Sequence, residues 1–261
     1  MIATIINDCR DDNALMRQVI RLSSLLQCPV NFCGVKNDLE AAGNLIDCLD
    51  AYGDNQGLIL VNVAPRDRQA KKWQNGTPFG CFFYKHILVV ATIDGLTLSL
   101  VRKYNLVDEI QVVDTLEALK IMNKNGFLAK DLVNFINETQ FRSYEFSPRL
   151  AAFLSKNKEI KAKKLNITEV ATAPKAVWWI DNFGNCKTTL WQTELTKDDK
   201  NRIKLSIGSL PFKKALKDVP DGKGAVIQGS SGLGKKRFVE IVVQGGRAVD
   251  KYKISSGTVL S

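Results

Sequence analysis

Ile2-Ala-Thr-Ile-Ile-Asn7-Asp8 opens the chain as a short β-prone run that stops at two polar residues. Asp12 to Leu26 follows with Leu15, Val19, Ile20 and Leu26 at helical spacing, and Val30 to Val35 reads again as a strand. The same alternation continues outward. Leu39 to Tyr52 reads as a helix and Gly57 to Val63 as a buried strand. His86 to Ala91 reads as a strand, Leu96 to Tyr104 as a helical segment and Glu109 to Val113 as a strand. Arg66 to Pro78 is polar and basic and is expected to be a loop. Repeated β-α alternation predicts an α/β domain over residues 1–155 with a mostly parallel sheet and helices on both faces.

The pattern changes after about residue 165. Val177 to Ile180, Leu190-Trp191, Ile203 to Ile207, Gly224 to Gln228, Phe238 to Val243 and Lys251 to Ile254 are short apolar runs separated by Gly, Asn, Asp and Pro. Such spacing predicts a smaller C-terminal β-barrel domain over residues 169–261. The Lys-rich residues 156–168 between the two are expected to be a basic linker.

The chain has 261 residues, enough for a full core, with a net charge of +10. Much of the excess lies in Lys156, Lys158, Lys161, Lys163 and Lys164, where no aromatic residue is interleaved for base stacking. Charge alone does not specify nucleic-acid binding, which is therefore disfavoured. No apolar stretch is long enough for a membrane span or a signal peptide, so a cytoplasmic protein is expected. The cysteines Cys9, Cys28, Cys33, Cys48, Cys81 and Cys186 form no CxxC pair and none lies near the single histidine, His86. Buried free thiols and no metal site are the expectation. Gly229-Ser-Ser-Gly-Leu-Gly-Lys235-Lys236 nearly spells a phosphate-binding loop. Lys236, however, stands where a Mg²⁺-binding hydroxyl belongs, and a strand-like run follows where a helix must begin.

Trp179-Ile-Asp181-Asn-Phe183-Gly184-Asn185-Cys-Lys-Thr188 is the most specific stretch. Asp181 can accept from an ammonium or hydroxyl, Phe183 offers an aromatic face, and Asn185 can pair with a base edge. It resembles the IDxFGNxxT signature of the S-adenosylmethionine (SAM) hydroxide adenosyltransferase, chlorinase and fluorinase family. Three further segments resemble that family in order. They are Ile5-Ile-Asn-Asp8, Phe141-Arg142-Ser143 continuing through Pro148 to Leu154, and Gly229-Ser230-Ser231-Gly232 with Glu240-Ile241. Weaker echoes are Asn62-Val-Ala64-Pro65 and Ile93-Asp94-Gly95.

The resemblance implies an α/β domain with a C-terminal β-barrel and a homotrimer with SAM held between subunits. It also implies in-line attack of water or halide on the ribose C5′, with no metal or added cofactor. The implied SAM- and adenosine-binding residues are Asp8, Phe141, Ser143, Asp181, Phe183, Asn185, Ser231 and Glu240. The chain departs from the family at the water-activating positions. Ala64 stands at the matching Asp, Lys71 or Lys72 near the matching Arg, and Arg142 at the matching His. Leu216 stands where an aromatic residue is expected. Asp67, Lys71 and Arg142 are the remaining catalytic candidates. The expected function is SAM cleavage to adenosine and methionine. The alternatives are SAM or adenosine binding without turnover, and nucleic-acid binding on the same scaffold.

Overall fold

A computed structural model describes residues 1–65 and 77–260 and divides the chain into two compact units, residues 1–172 and 173–261. The first unit runs β1 (Ile2–Asn7), α1 (Asp12–Leu26), β2 (Val30–Gly34), α2 (Asp38–Tyr52), β3 (Gly57–Asn62), β4 (Phe79–Tyr84) and β5 (Ile87–Thr92). It continues with α3 (Ser99–Tyr104), β6 (Glu109–Val113), α4 (Thr115–Lys124), α5 (Lys130–Glu138), α6 (Arg142–Glu145), α7 (Ser147–Leu154) and β7 (Ala162–Asn166). The first helices begin where the sequence supplies caps. Asp11 accepts from Ala14 N at 3.0 Å, Asn37 from Glu40 N at 2.8 Å and Asp114 from Glu117 N at 2.9 Å.

The seven strands are ordered β2-β1-β3-β5-β4-β6-β7. β2, β1, β3 and β5 are mutually parallel, whereas β4, β6 and β7 extend the sheet through antiparallel pairings. The sheet is thus mixed, and the mostly parallel arrangement expected holds over four of its seven strands. The departure comes from β4, an aromatic-rich strand that the sequence pattern did not single out. It turns into β5 through Lys85-His86, with Lys85 at φ 52°. β7 lies within the Lys-rich stretch expected as a linker. It pairs with β6 from Ala162 opposite Val113 to Asn166 opposite Glu109, so these residues are the edge of the sheet. Its exposed lysines blunt that edge against further strand pairing.

β1 and β3 are buried almost throughout because helices cover both faces. Ala3, Ile5, Leu58 and Leu60 join one core with Leu22, Leu119, Ile136, Phe146 and Phe153. Ile6, Ile59 and Val61 alternate with them along the strands and are also buried.

The second unit contains β8 (Val177–Ile180), β9 (Cys186–Trp191), β10 (Arg202–Leu205), β11 (Gly208–Lys213), β12 (Gly224–Leu233), β13 (Lys236–Val243) and α8 (Ala248–Tyr252). Its sheet runs β10-β11-β12-β13-β9-β8, antiparallel except for β11 with β12. It is a curled half-barrel, open between β10 and β8, so the expected β-barrel is met in part. Val177, Cys186, Val226, Val239 and Ile241 fill its core. The near-phosphate-loop is a bulge in β12 followed by the turn into β13, as its strand context required. No described helix is long and apolar enough to cross a membrane.

β4 packs tightly on β6 because Gly80 has no side chain. A Cβ there would stand 2.6 Å from Ile110 Cγ2 and 2.7 Å from Ile93 Cγ2. Gly80→Ala is expected to cost about 1–3 kcal/mol by overpacking. That corresponds to a fall of several degrees in Tm. A thermal melt coincident with the parent would show that the sheet yields here without strain.

Candidate functional site

The chain leaves β1 through α1 to β2 on one side and returns through α2 to β3 on the other. The connections therefore diverge beyond the carboxyl ends of β1 and β3. An open α/β sheet leaves a crevice at such a reversal, and ligands bind there. A cleft of about 600 Å³ occupies this place, lined by Asp8, Asn62, Ala64, Thr92, Arg142 and Ser143 among others.

Asn7, fully buried at the end of β1, organises the crevice. Its amide donates to Gln18 of α1, and its Oδ1 accepts from Cys9 N at 2.8 Å and from Asn62 Nδ2 at 3.4 Å. One side chain thus joins the ends of β1 and β3 to a helix. Asp8 lies at the mouth, with its carboxylate 3.5 Å from Ala64 N. The first-turn cap of α1 is Asp11, so Asp8 is not needed for that task. Thr92 holds the β3 end from beneath, donating to Val63 O at 2.6 Å.

Arg142 and Ser143 reach the cleft from α6, a helix of a single turn. Its position depends on α1 and α7. Glu145 is shared by Arg21 at 3.1 Å and Arg149 at 2.7 Å. Arg21 also donates to the Tyr144 hydroxyl at 2.8 Å, and both Arg17 and Arg21 lie 4.3 Å from the Tyr144 ring centre. Burial pushes the Arg142 guanidinium below its ordinary value, opposed by the charge of Asp114. Phe141 precedes the same helix but is 65% exposed and takes no part in the cleft lining. Asp67 and Lys71 lie outside the described residues.

In the second unit, Asp181, Phe183 and Asn185 form the turn between β8 and β9. Asp181 Oδ1 accepts from the backbone N–H of Phe183 and of Asn185, each at 2.9 Å, and Oδ2 accepts from Asn185 Nδ2 at 3.0 Å. Gly184 sits at φ 79° under Arg247, whose Cβ a side chain at 184 would meet at 2.7 Å. The signature is therefore a self-satisfied turn that holds the Phe183 ring 77% exposed at its tip. Ser231 and Glu240 are buried on β12 and β13. Gly229 makes room for Glu240, since a Cβ there would lie 2.4 Å from its Oε1. These residues are not all gathered together. The Asp181 turn lies beyond the register of Ile241, whereas the bulge with Ser231 lies near Arg237. Those two positions on β13 are roughly 13 Å apart.

Residues 175–261 match the family model described as the SAM hydroxide adenosyltransferase C-terminal domain. The match spans nearly all of the C-terminal unit. The whole chain is similar in fold to an uncharacterized conserved protein from Thermotoga maritima, with TM-score 0.70, 17% identity and 100% of both chains covered. It is also similar to a conserved hypothetical protein from Thermus thermophilus, with TM-score 0.58, 16% identity and 99% of both chains covered. No curated protein matches the chain.

Asn7, Thr92, Arg21, Tyr144 and Glu145 were not singled out from the sequence. Asn7 alone carried a signal, as a polar residue closing an apolar strand. A separate cavity of about 740 Å³ in the second unit is lined by Lys175, Leu190, Arg202 and Lys204 and contains none of the family-like residues. None of the six cysteines is in a disulfide, but only Cys81 and Cys186 are buried, and Cys9 is exposed at the cleft. Among the described residues no cluster of metal-ligating side chains occurs.

Asp181→Ala leaves two backbone donors and the Asn185 amide without their acceptor, so it is expected to destabilise the second unit by about 1–3 kcal/mol. Denaturant unfolding that leaves the midpoint unchanged would remove the turn-closing role. Burial pushes the thiols of Cys81 up to about 11 and of Cys48 and Cys186 up to about 12. They therefore remain protonated at pH 8, and Cys9 is expected to react first with a thiol reagent. An unchanged fast phase in Cys9→Ser would refute this.

Proposed function

We propose that this protein binds SAM and cleaves it at the ribose C5′ with water, giving adenosine and methionine. The supporting observation is Asp8, a carboxylate at the β1–β3 reversal that lines one cleft with Arg142 and Ser143. The match of residues 175–261 to the SAM hydroxide adenosyltransferase C-terminal domain model supports the ligand class. In this reading Asp8 accepts from the ribose hydroxyls. Phe141, Ser143, Asp181, Phe183, Asn185, Ser231 and Glu240 contribute to recognition of the adenosyl and methionyl groups, and the protein works as a homotrimer. Water oxygen forms the new bond to C5′ while the C5′–S pair leaves with sulfur as neutral methionine thioether. The attacking water gives its proton to solvent or to a base. A sulfonium needs no acid to depart, so positioning and desolvation carry the rate. Arg142 aids the approach electrostatically, with Asp67 and Lys71 as its candidate partners and Asp67 as the group able to accept a proton.

A second reading is SAM or adenosine binding without turnover. It is favoured by one observation. Ala64, beside Asp8, offers a methyl where the resembling hydrolytic proteins carry an acid, and Arg142 cannot act as a base.

Incubation of the purified protein with SAM, followed by chromatography, separates the two. Adenosine and methionine in equal amounts are expected, with Asp8→Asn weakening SAM binding by about tenfold through loss of charge-assisted hydrogen bonds. Saturable binding without product selects the second reading, and the absence of both binding and product rejects both.

A further inference from the structure

Four arginines serve the α1–α6–α7 corner and differ in what they meet, Arg17 lying over the Tyr144 ring. Arg21 and Arg149 spend donors on Glu145, and Arg21 also on Tyr144. Arg142 lies on the cleft wall, half-buried, and its side chain makes no hydrogen bond or ion pair among the described residues. Asp114 acts on it only through its charge. A guanidinium carries five N–H donors, no acceptor and a permanent charge. Withdrawing it partly from water without a partner is unfavourable unless a ligand completes it. Its planar fork matches two oxygens of one carboxylate better than it matches a spherical ion.

The rest of the lining sets the polarity of the cleft. Ser143 and Thr77 add hydroxyls, while Asp8 and Glu138 supply the carboxylates. A ligand with hydroxyls or a cation toward Asp8 and an anionic end toward Arg142 would meet both signs. We propose that the β1–β3 cleft carries a carboxylate subsite built on Arg142, with the hydroxyls of Ser143 and Thr77 as secondary donors. The carboxylate belongs to a separate small acid rather than to the methionyl tail of SAM. In the function proposed above, on which this choice rests, that tail leaves C5′ on the face opposite Arg142 and the attacking water.

Acetate titrated calorimetrically into the full chain at constant ionic strength tests the subsite without SAM. Arg142→Gln, Arg142→Lys and the distant Lys163→Gln are compared, each checked for an unchanged thermal melt. Saturable acetate binding is expected, weakened about tenfold or more in Arg142→Gln. The loss should be smaller in Arg142→Lys and absent in Lys163→Gln. The second arm compares SAM with 5′-methylthioadenosine, which lacks the carboxylate. With a separate acid in the subsite, acetate binds equally well with SAM present, and the preference for SAM is indifferent to Arg142→Gln. The proposal is overturned if acetate does not saturate. It is overturned too if acetate competes with SAM and Arg142→Gln erases about tenfold of that preference, as a tail in the subsite requires. It is also overturned if Lys163→Gln weakens acetate as much as Arg142→Gln does. Acetate binding that survives while SAM fails to bind at all would sink the proposed function and leave the subsite standing.

Discussion

A single buried amide holds the N-terminal crevice in place. Asn7 cannot leave its polar atoms unmet at full burial, where an orphaned group costs about 1–3 kcal/mol. It meets them by reaching α1, the backbone after β1 and the end of β3 at once. The reversal of chain direction around β1 opens a gap between two loops, and Asn7 gives that gap a fixed width. Asp8, one residue further on, inherits its position from this network. The Glu145 pair of ion contacts does the same for α6, which is too short to hold its own direction. Both walls of the cleft are therefore set by polar groups that do not themselves line its centre.

Much of the N-terminal sheet was legible because burial on both faces leaves near-continuous apolar runs, as in Leu58 to Val61. β4 was harder to see. Phe79 to Tyr84 follows a basic stretch, and its two-residue turn at Lys85-His86 lacks the glycine or asparagine that usually marks a hairpin. β7 was hidden for a different reason. An edge strand with exposed faces has no apolar alternation to display, and its lysines look like those of a solvated connector. In the C-terminal unit the short strands could be read from their turns. Closure of a barrel could not, because it depends on whether the terminal strands meet.

The candidate site was legible in its residues but not in their roles. Asp8 and Asp181 are the same chemical group in two of the family-like segments. Asp181 spends both oxygens on donors two and four residues further along its own turn, so closing that turn is one task it performs. Asp8 contributes no cap to the helix that follows, and it stands where the topology opens. A sequence signature cannot separate these cases, because a carboxylate that closes a turn and one that meets a ligand are written with the same residue.

The cleft also limits which chemistry the chain can perform. Replacing an imidazole by a guanidinium at one position exchanges a group that can take a proton for one that can only hold negative charge. With Ala64 in the same lining, proton acceptance in the described part of the cleft falls to the carboxylates of Asp8 and Glu138. Displacement of a sulfonium tolerates that loss better than most reactions, since its leaving group departs uncharged and no proton must be delivered to it. A scaffold that works by excluding water and aligning atoms can lose a base and keep a measurable rate, while its binding preferences move toward ligands with an anionic end. In the proposed function Arg142 positions charge and exchanges no proton.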